Sequence, residues 1–276
     1  MPDTEIGDPR LVDAMGTRHE AAAATARIVS LVPSITELLF DLELAGQIVG
    51  RTGFCTQPRD KVKKVAKVGG TKTIDVAKIK RLAPSHLIVN IDENPRPVIE
   101  DLARFVPHVI VTHPRGPADN LALYRLLGGI FNRQAQAEAL CAAFSKVWDE
   151  VHAATRAWPR QPVLYLIWKS PWMTVSEDTY IARMLSAVGW DAWAPPSQAR
   201  YPSVDLTPEN LAKVDFVLLS SEPYSFSERH CAEILDLISE RGRTRVALID
   251  GAMTSWYGSR AIAGLKYLRQ FRADLS

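Results

Sequence analysis

Residues 27–50 have the sequence RIVSLVPSITELLFDLELAGQIVG. They begin with an apolar run, continue through a short loop, and then place apolar residues at helical spacing. Ser34, with Glu37 three residues later, is a capping box and predicts the start of a helix, which Gly46 ends. The stretch therefore predicts a strand followed by an amphipathic helix.

The same plan returns at residues 163–190, VLYLIWKSPWMTVSEDTYIARMLSAVGW, with a longer loop between strand and helix. Residues 75–114 and 206–252 also share one order of elements. In both, short apolar runs such as HLIVN and FVLLS alternate with amphipathic helices, a pattern typical of parallel sheets covered on both faces. We predict an α/β fold with two Rossmann-like lobes, each built on a mainly parallel sheet.

Between the two halves, nothing in residues 133–158 breaks a helix, and Pro159 and Pro162 follow. About 26 residues at 1.5 Å per residue give roughly 39 Å. This predicts a single long, rigid helix that joins the lobes, with a ligand cleft between them. The alternative is one more packed helix in a single domain.

The predicted organisation has four segments. They are a leader at 1–26, poorly ordered or helical, an N-terminal α/β lobe at 27–117, a linking segment with the long helix at 118–160, and a C-terminal α/β lobe at 161–276.

Composition excludes several classes of protein. The chain is 47% hydrophobic and 23% charged, which is typical of a globular protein. A net charge of +2 gives no large positive field for nucleic acid, and no apolar run reaches the roughly 20 residues of a membrane span.

Seven basic residues recur at helical spacing and predict one solvated helix face, with a basic docking patch as the alternative. They are Lys61, Lys63, Lys64, Lys67, Lys78, Lys80 and Arg81.

The first residues lack the apolar core of a signal peptide, so we expect a cytoplasmic protein. Separately, we expect a monomer. The alternative is a periplasmic protein whose start site is misassigned. Cys55, Cys141 and Cys231 lie far apart and demand no disulfide.

In open parallel sheets, ligands bind beyond the carboxyl ends of the strands. The residues predicted there are rich in aromatic rings and short hydroxyls, and they form no catalytic set, so they indicate a pocket that holds a ligand. We expect Trp168 and Trp172 to pack on a large ligand with apolar faces. The alternative is that Trp168 closes the sheet core while only Trp172 is exposed.

Other candidates have simpler interpretations. His113 has no partner at metal spacing, and Cys55 has no paired base in sequence, so we expect a loop-end histidine and a buried or idle thiol. Asp92 and Glu93 could act as acid and base, but adjacent acidic residues in a loop are more often solvated or cap a helix.

Four stretches together resemble the helical-backbone (class III) periplasmic substrate-binding proteins of ABC importers for cobalamin, haem and iron-siderophores. They are residues 27–54, residues 67–90 (KVGGTKTIDVAKIKRLAPSHLIVN), the long helix, and residues 175–190 (VSEDTYIARMLSAVGW). Within the family the resemblance is to the cobalamin-binding branch. It implies a non-enzymatic binding protein without an intrinsic cofactor or metal, whose ligand is cobalamin or another metal-chelate.

The resemblance also implies which residues line the site. The ligand-binding candidates are Ser34, Phe54, Thr71, Lys72, Trp168, Trp172, Tyr201, Trp256 and Tyr257. Family members dock on an ABC permease through one glutamate per lobe. Glu209 matches the second position, whereas Arg96 occupies the first with reversed charge, which would oppose docking.

The leading hypothesis is therefore a binding protein for a large metal-chelate that serves import or ligand retention. Two alternatives stay open. One is an enzyme acting on a tetrapyrrole or metal-chelate in the same cleft, with Asp92, Glu93, His113 or Glu222 as acid and base. The other is a protein-interaction module.

Overall fold

The computed structural model describes residues 11–238 and 243–275. Their chain forms two compact units. Within the described residues, the first unit comprises 11–114, Ala118–Phe144 and Tyr257–Arg260, and the second comprises Arg115–Pro117, 145–256 and 261–275.

The first unit contains a five-stranded parallel sheet in the order β3-β2-β1-β4-β5. Its strands are β1 (Ile28–Ser30), β2 (Ile48–Arg51), β3 (Ala66–Lys67), β4 (His86–Asn90) and β5 (His108–Thr112). Its helices are α1 (Pro33–Asp41), α2 (Arg59–Val62), α3 (Val76–Leu82), α4 (Arg96–Ala103) and α5 (Asp119–Ile130). Every residue of β4 is buried, because a central parallel strand is covered on both faces.

The second unit contains a four-stranded parallel sheet in the order β7-β6-β8-β9. Its strands are β6 (Gln161–Leu166), β7 (Trp190–Ala192), β8 (Phe216–Ser220) and β9 (Arg245–Ile249). Helices α7 (Tyr180–Ala187), α8 (Pro208–Leu211), α9 (Glu228–Leu235) and α10 (Gly251–Ser255) follow the strands. The strand order repeats that of the first unit without a counterpart of β3. The predicted α/β fold with two mainly parallel sheets is confirmed.

Two helices include residues of both units: α6 (Gln134–Thr155) and α11 (Arg260–Leu275). Helix α6 is the predicted long helix, but it ends three residues before Trp158, at a turn in which the Trp158 amide donates to the Thr155 carbonyl. Pro159 explains the early end, because a proline disfavours helical geometry at the residue before it, here Trp158.

The predicted cap of α1 is wrong. The helix begins at Pro33 with Val32 as its N-cap, and no side chain caps it. Proline at the first helical position presets the backbone angle, so Ser34 lies inside the helix, where its side chain is buried. Glu37 pairs with Arg260 of the same unit, with Arg260 Nε 2.9 Å from Glu37 Oε2.

The described part of the predicted leader, residues 11–26, forms no α-helix and is held by hydrogen bonds. The Asp13 carboxylate accepts from His19 and from the amide of Val111, and the Ala22 amide donates to the Ile130 carbonyl. These tertiary bonds, which local sequence does not reveal, fix the segment on the first unit. The rest of the predicted leader lies outside the described residues.

The predicted basic helix face is wrong as well. Its residues are distributed over α2, the loop after it, the edge strand β3 and α3. The chain leaves α2 at Val62 because Ala66 and Lys67 pair with β2. None of the helices in the described part of the chain combines the length and the apolar character that crossing a bilayer requires.

Candidate functional site

The carboxyl ends of the strands form one edge in each unit. We call the loops that follow β1–β5 the first edge, and the loops that follow β6–β9 the second edge.

One buried side chain fixes three loops of the first edge. Asn94 Nδ2 donates to the carbonyl oxygens of Leu31 and Thr71, at 3.2 and 3.1 Å, and Asn94 Oδ1 accepts from the Asn90 amide at 2.9 Å. The loops after β1, β3 and β4 are therefore tied to one another. Thr71, a predicted site residue, is half-buried in this arrangement.

Phe54 is the exposed ring of the first edge, with 62% of its surface accessible. It follows β2 and lies beside Gly70, where an added Cβ would come within 3.2 Å of Phe54 Cε2. Glycine at this position lets the ring lie against the backbone. A large flat surface is thereby presented to solvent where a ligand could contact it.

The polar groups of the first edge form a chain of contacts. Lys72 Nζ donates to the Asp92 carbonyl at 2.8 Å, and Asp92 Oδ2 lies 3.5 Å from His113 Nε2. Lys72 is exposed, while Asp92 and His113 are half-buried. The loops after β3, β4 and β5 thus place a cation, a carboxylate and an imidazole together.

Ser34 and Tyr257 are buried, with 3% and 7% of their surfaces accessible. The Tyr257 hydroxyl donates to Glu93 Oε1 at 2.6 Å. Burial, followed by the negative charge of Glu93, raises the pKa of the Tyr257 hydroxyl. We expected both residues to line the site, whereas the structure places them in the interior of the first unit.

The first loop of the second edge is a short hairpin that carries both predicted tryptophans. The Ile167 amide donates to the Met173 carbonyl, and the Met173 amide donates to the Trp168 carbonyl. Trp168 is 42% exposed, and its ring meets Tyr224 edge-on at 5.6 Å between centroids.

Trp172 is half-buried, and it stacks on Phe226 with ring centroids 5.8 Å apart. The alternative expectation, in which Trp168 closes the core and Trp172 is exposed, is wrong. The hairpin turns Trp172 back onto the core and leaves Trp168 as the more exposed ring.

A second extended segment positions Tyr201 beside this hairpin. The Thr174 amide donates to the Pro202 carbonyl, and the Val204 amide donates to the Trp172 carbonyl. The neighbouring Arg200 donates from Nε to the Asp178 carbonyl at 2.9 Å. Tyr201 is therefore half-buried on a segment that is fixed at several points.

Glu222 holds the last predicted aromatic residue of the second edge. Trp256 Nε1 donates to Glu222 Oε1 at 2.6 Å, and the Ser255 hydroxyl donates to the same oxygen at 3.2 Å. The arrangement resembles that of Tyr257 and Glu93 in the first unit. In each unit, a carboxylate that follows a strand orients an aromatic side chain.

Sequence reasoning missed two residues of these edges, Asn94 and Phe226. Phe226 follows Tyr224 at a spacing of two in the loop after β8, a pattern that could have marked both rings as one cluster. The bond between Asn94 and the Asn90 amide is local, but nothing local marks Asn94 as the residue that ties three loops, because Leu31 and Thr71 are distant in sequence.

The remaining candidates lie elsewhere. Cys55 is a buried thiol, as expected; burial raises its pKa, and it lies 3.1 Å from the Thr36 hydroxyl. Glu209 is exposed in the first turn of α8, and its Oε1 lies 3.5 Å from Lys213 Nζ. Arg96 is exposed at the start of α4, and its Nε lies 2.8 Å from Glu100 Oε1. Across residues 11–238 and 243–275, no three His, Cys, Asp or Glu side chains group so that they could hold a metal ion.

The chain also matches a known family in sequence. A family described as "Periplasmic binding protein" matches residues 28–223. The vitamin B12-binding protein of Pectobacterium atrosepticum is 24% identical over 190 residues, which is 67% of this chain and 67% of that protein.

Solved structures share the fold. The periplasmic vitamin B12-binding protein of Vibrio cholerae superposes with a TM-score of 0.76 at 15% identity, over 90% of this chain and 96% of that chain. The apo periplasmic haem-binding protein of Roseiflexus sp. RS-1 also gives 0.76, at 21% identity, over 91% and 98%. At these identities the likeness shows the fold.

Proposed function

Because the chain belongs to the periplasmic binding protein family, we propose that it binds a large metal-chelate, with a corrinoid such as cobalamin first, and haem or an iron-siderophore next. It would serve ABC import or ligand retention. The contact residues we propose are Phe54, Thr71, Lys72, Trp168, Trp172, Tyr201 and Trp256, with Ser34 and Tyr257 as buried supports.

The observation that carries the proposal is the exposed ring of Trp168. A tryptophan that remains 42% exposed while the hairpin backbone and Tyr224 fix its position is preorganised for contact. It loses little conformational entropy on binding and offers a wide apolar face with a polar N–H at one end. Phe54 offers a second exposed ring at the first edge.

The carboxylates of the two edges support binding rather than catalysis. Glu222 accepts hydrogen bonds from Trp256 and Ser255, and Glu93 accepts one from Tyr257. Each carboxylate therefore positions a side chain of its own unit. The named relatives are described as binding proteins.

We rank the proposed ligands by how well they suit the aromatic side chains of the two edges and by what the relatives are named for. A corrinoid and a haem both present wide apolar faces, which suit aromatic rings. The relatives include both vitamin B12-binding and haem-binding proteins, so they do not decide between the two ligands. We place cobalamin first because the sequence resembles the cobalamin-binding branch.

Location and permease docking belong to the same proposal. The periplasmic family name does not support the cytoplasmic location expected from the first residues, and we propose the periplasm. A permease would meet an exposed carboxylate at Glu209 and an exposed guanidinium at Arg96. Arg96 would need an acidic partner, unlike a glutamate at that position.

Calorimetric titration with cyanocobalamin, haemin and a ferric siderophore tests the proposal. We expect a dissociation constant of about 1 μM or tighter for one of the three, on the order of −8 kcal/mol. Trp168→Ala should weaken that binding about 10- to 30-fold, as expected for an aromatic anchor. Trp148→Ala, which removes a half-buried tryptophan from α6, is the matched control and should leave the affinity within about twofold.

Two results would overturn the proposal. One is the absence of measurable heat with all three ligands. The other is an equal loss of affinity in the Trp168 and Trp148 variants, since the ring at the second edge would then have no special role.

The 3.5 Å approach of Asp92 and His113 favours one second candidate, an enzyme that acts on a bound tetrapyrrole or metal-chelate. A carboxylate can orient an imidazole for proton transfer. The absorbance spectrum of the ligand after prolonged incubation decides between the two functions. Altered ligand with the wild type, but not with His113→Ala, would favour the enzyme, whereas unchanged ligand would favour the binding protein.

A further inference from the structure

Residues 59–81 concentrate positive charge. They contain nine lysines and arginines against Asp60 and Asp75, a net charge of +7, in a chain whose total is +2. Lys72 of this stretch belongs to the first edge, where it bonds to Asp92. The other eight form what we call the basic patch. They are Arg59, Lys61, Lys63, Lys64, Lys67, Lys78, Lys80 and Arg81.

The fold brings the elements that carry the basic patch to the β3 end of the first sheet. Strand β3 is at the end of the strand order, so only β2 pairs with it among the described strands. Helix α2 precedes β3 by three residues, and the amides of Lys64 and Val65 donate back to α2. Helix α3 packs on β2, where Leu82 Cδ1 lies 3.0 Å from a Cβ added at Gly50.

Apolar side chains from the same elements explain why the cations point outward. Val62 is buried in α2, Val68 follows β3, and Ile79 is buried in α3; the last two join the core cluster of the first unit. With these positions packed inward, seven of the eight cations are exposed and Lys78 is half-buried.

The basic patch has few counter-ions. Lys63 lies 4.0 Å from Asp60, and Lys80 lies over the Phe105 ring at 5.9 Å. Across the described ranges 11–238 and 243–275, no carboxylate is within ion-pair distance of Lys61, Lys64 or Lys67. Positive charge that its own fold leaves uncompensated attracts an anionic surface.

The residue types in the basic patch distinguish between anionic partners. Six of its eight cations are lysines, which are depleted at protein–protein interfaces, where arginine and aromatic residues are enriched. Residues 59–81 contain no aromatic residue on which a nucleic-acid base could stack. Flexible, strongly hydrated ammonium groups without an apolar wedge suit the diffuse negative charge of lipid headgroups.

We propose that the basic patch docks the first unit on an anionic membrane surface by electrostatic attraction, without insertion. Clusters of four to eight lysines and arginines have this role in other membrane-surface proteins. Lys67 also discourages edge-to-edge strand pairing, but that role requires one charge on β3 and not the lysines of α2 and α3. The proposal is independent of the ligand proposed above.

Vesicle co-sedimentation of the full chain tests the proposal. The vesicles are phosphatidylcholine alone or phosphatidylcholine with about one-third phosphatidylglycerol. Each is measured at about 50 mM and about 500 mM salt, because the Debye length is several-fold shorter at the higher concentration. We expect binding only to the anionic vesicles and only at low salt. The triple variant Lys61→Glu, Lys64→Glu, Lys67→Glu should bind at least about 30-fold more weakly.

The matched control reverses three exposed cations of the second unit, Lys146→Glu, Arg156→Glu and Lys266→Glu. It has the same net charge as the patch variant and should retain vesicle binding within about threefold. Equal losses in both variants would overturn the proposal, because net charge alone would then explain binding. Absence of vesicle binding would overturn it too, as would preference for duplex DNA over vesicles at equal phosphate concentration.

Discussion

All seven tryptophans lie in the second unit, and none lies in the first. The two units share one strand order, yet their edges are built differently. In the first unit Leu31 and Val32 alone separate β1 from α1, whereas in the second a loop from Ile167 to Thr179 separates β6 from α7. The longer loop provides the hairpin that carries Trp168 and Trp172.

The comparison shows two ways to fix a binding surface on one topology. The first edge is held by hydrogen bonds of Asn94 and by glycines that allow close approach. The second is held by stacked rings, with Phe226 beneath Trp172. The first edge should therefore be sensitive to backbone changes, and the second to changes of ring size.

The largest expected effect is that of Gly69→Ala in the first edge. Gly69 has a φ of +101°, and an added Cβ would lie 2.3 Å from the Thr73 carbonyl oxygen. Backbone strain and this overlap together should lower the free energy of unfolding by about 3–4 kcal/mol. Gly16→Ala is the control, since its φ is +79° but nothing lies within 4 Å, and about 1 kcal/mol is expected.

Two signals separate the units in this experiment. Tryptophan fluorescence reports the second unit alone, and far-ultraviolet circular dichroism reports both. In urea unfolding, the Gly69 variant should lose the dichroism signal at lower denaturant than the Gly16 variant. If both variants unfolded at the same midpoint, the first edge would not depend on its backbone in the way described.

Much of the fold could be predicted from sequence, because burial on both faces gives parallel strands a continuous apolar pattern. HLIVN and HVIVT coincide with β4 and β5, and FVLLS with β8. The internal repeat was equally visible, because both units bury the same kinds of faces.

The candidate site was less predictable, because exposure of a ring depends on tertiary pairing. Trp168 and Trp172 look equivalent in sequence, and only tertiary contacts show which one faces the core, because Trp172 stacks on Phe226 and packs against the core cluster of the second unit. Ser34 looked like a cap, but the helix begins at Pro33 with Val32 as its N-cap, two residues earlier than that cap would give. The aromatic type of the second edge was predictable, whereas the depth of each ring was not.

The stability of the first unit should depend on pH through His86. His86, on β4, is buried and stacks on His108 with ring centroids 4.6 Å apart. Burial, followed by the charges of His108 and His19, lowers the pKa of His86 to about 4. Between pH 6.5 and 4 the unfolded chain binds more protons, so stability should fall as pH falls through this window, by at most about 3 kcal/mol.

His86→Gln replaces the imidazole by a neutral amide and should flatten this dependence in urea titrations between pH 7 and pH 4. His152→Gln, at an exposed position on α6, should retain it. Asp13 contributes at lower pH: burial acts to raise its pKa, but bonds from His19 and backbone amides outweigh burial and lower it. An unchanged slope in the His86 variant would show that other groups cause the acid sensitivity.

The smallest expected effects compare two adjacent residues that belong to different units. Tyr257 is buried and donates to Glu93, while Trp256 is half-buried and donates to Glu222. Tyr257→Phe should cost about 2 kcal/mol, since a buried bond to a charged group is lost without a replacement from water. Trp256→Phe should cost about 1 kcal/mol, because solvent can reach the Glu222 carboxylate.

Urea midpoints from dichroism and from tryptophan fluorescence give both costs, and six tryptophans remain in the Trp256 variant. Adding Glu93→Gln to the tyrosine variant completes a double-mutant cycle, with a coupling of about 1–2 kcal/mol expected. A coupling near zero would mean that Glu93 does not orient Tyr257. Equal costs for the two single variants would mean that burial does not distinguish the Tyr257–Glu93 pair from the Trp256–Glu222 pair.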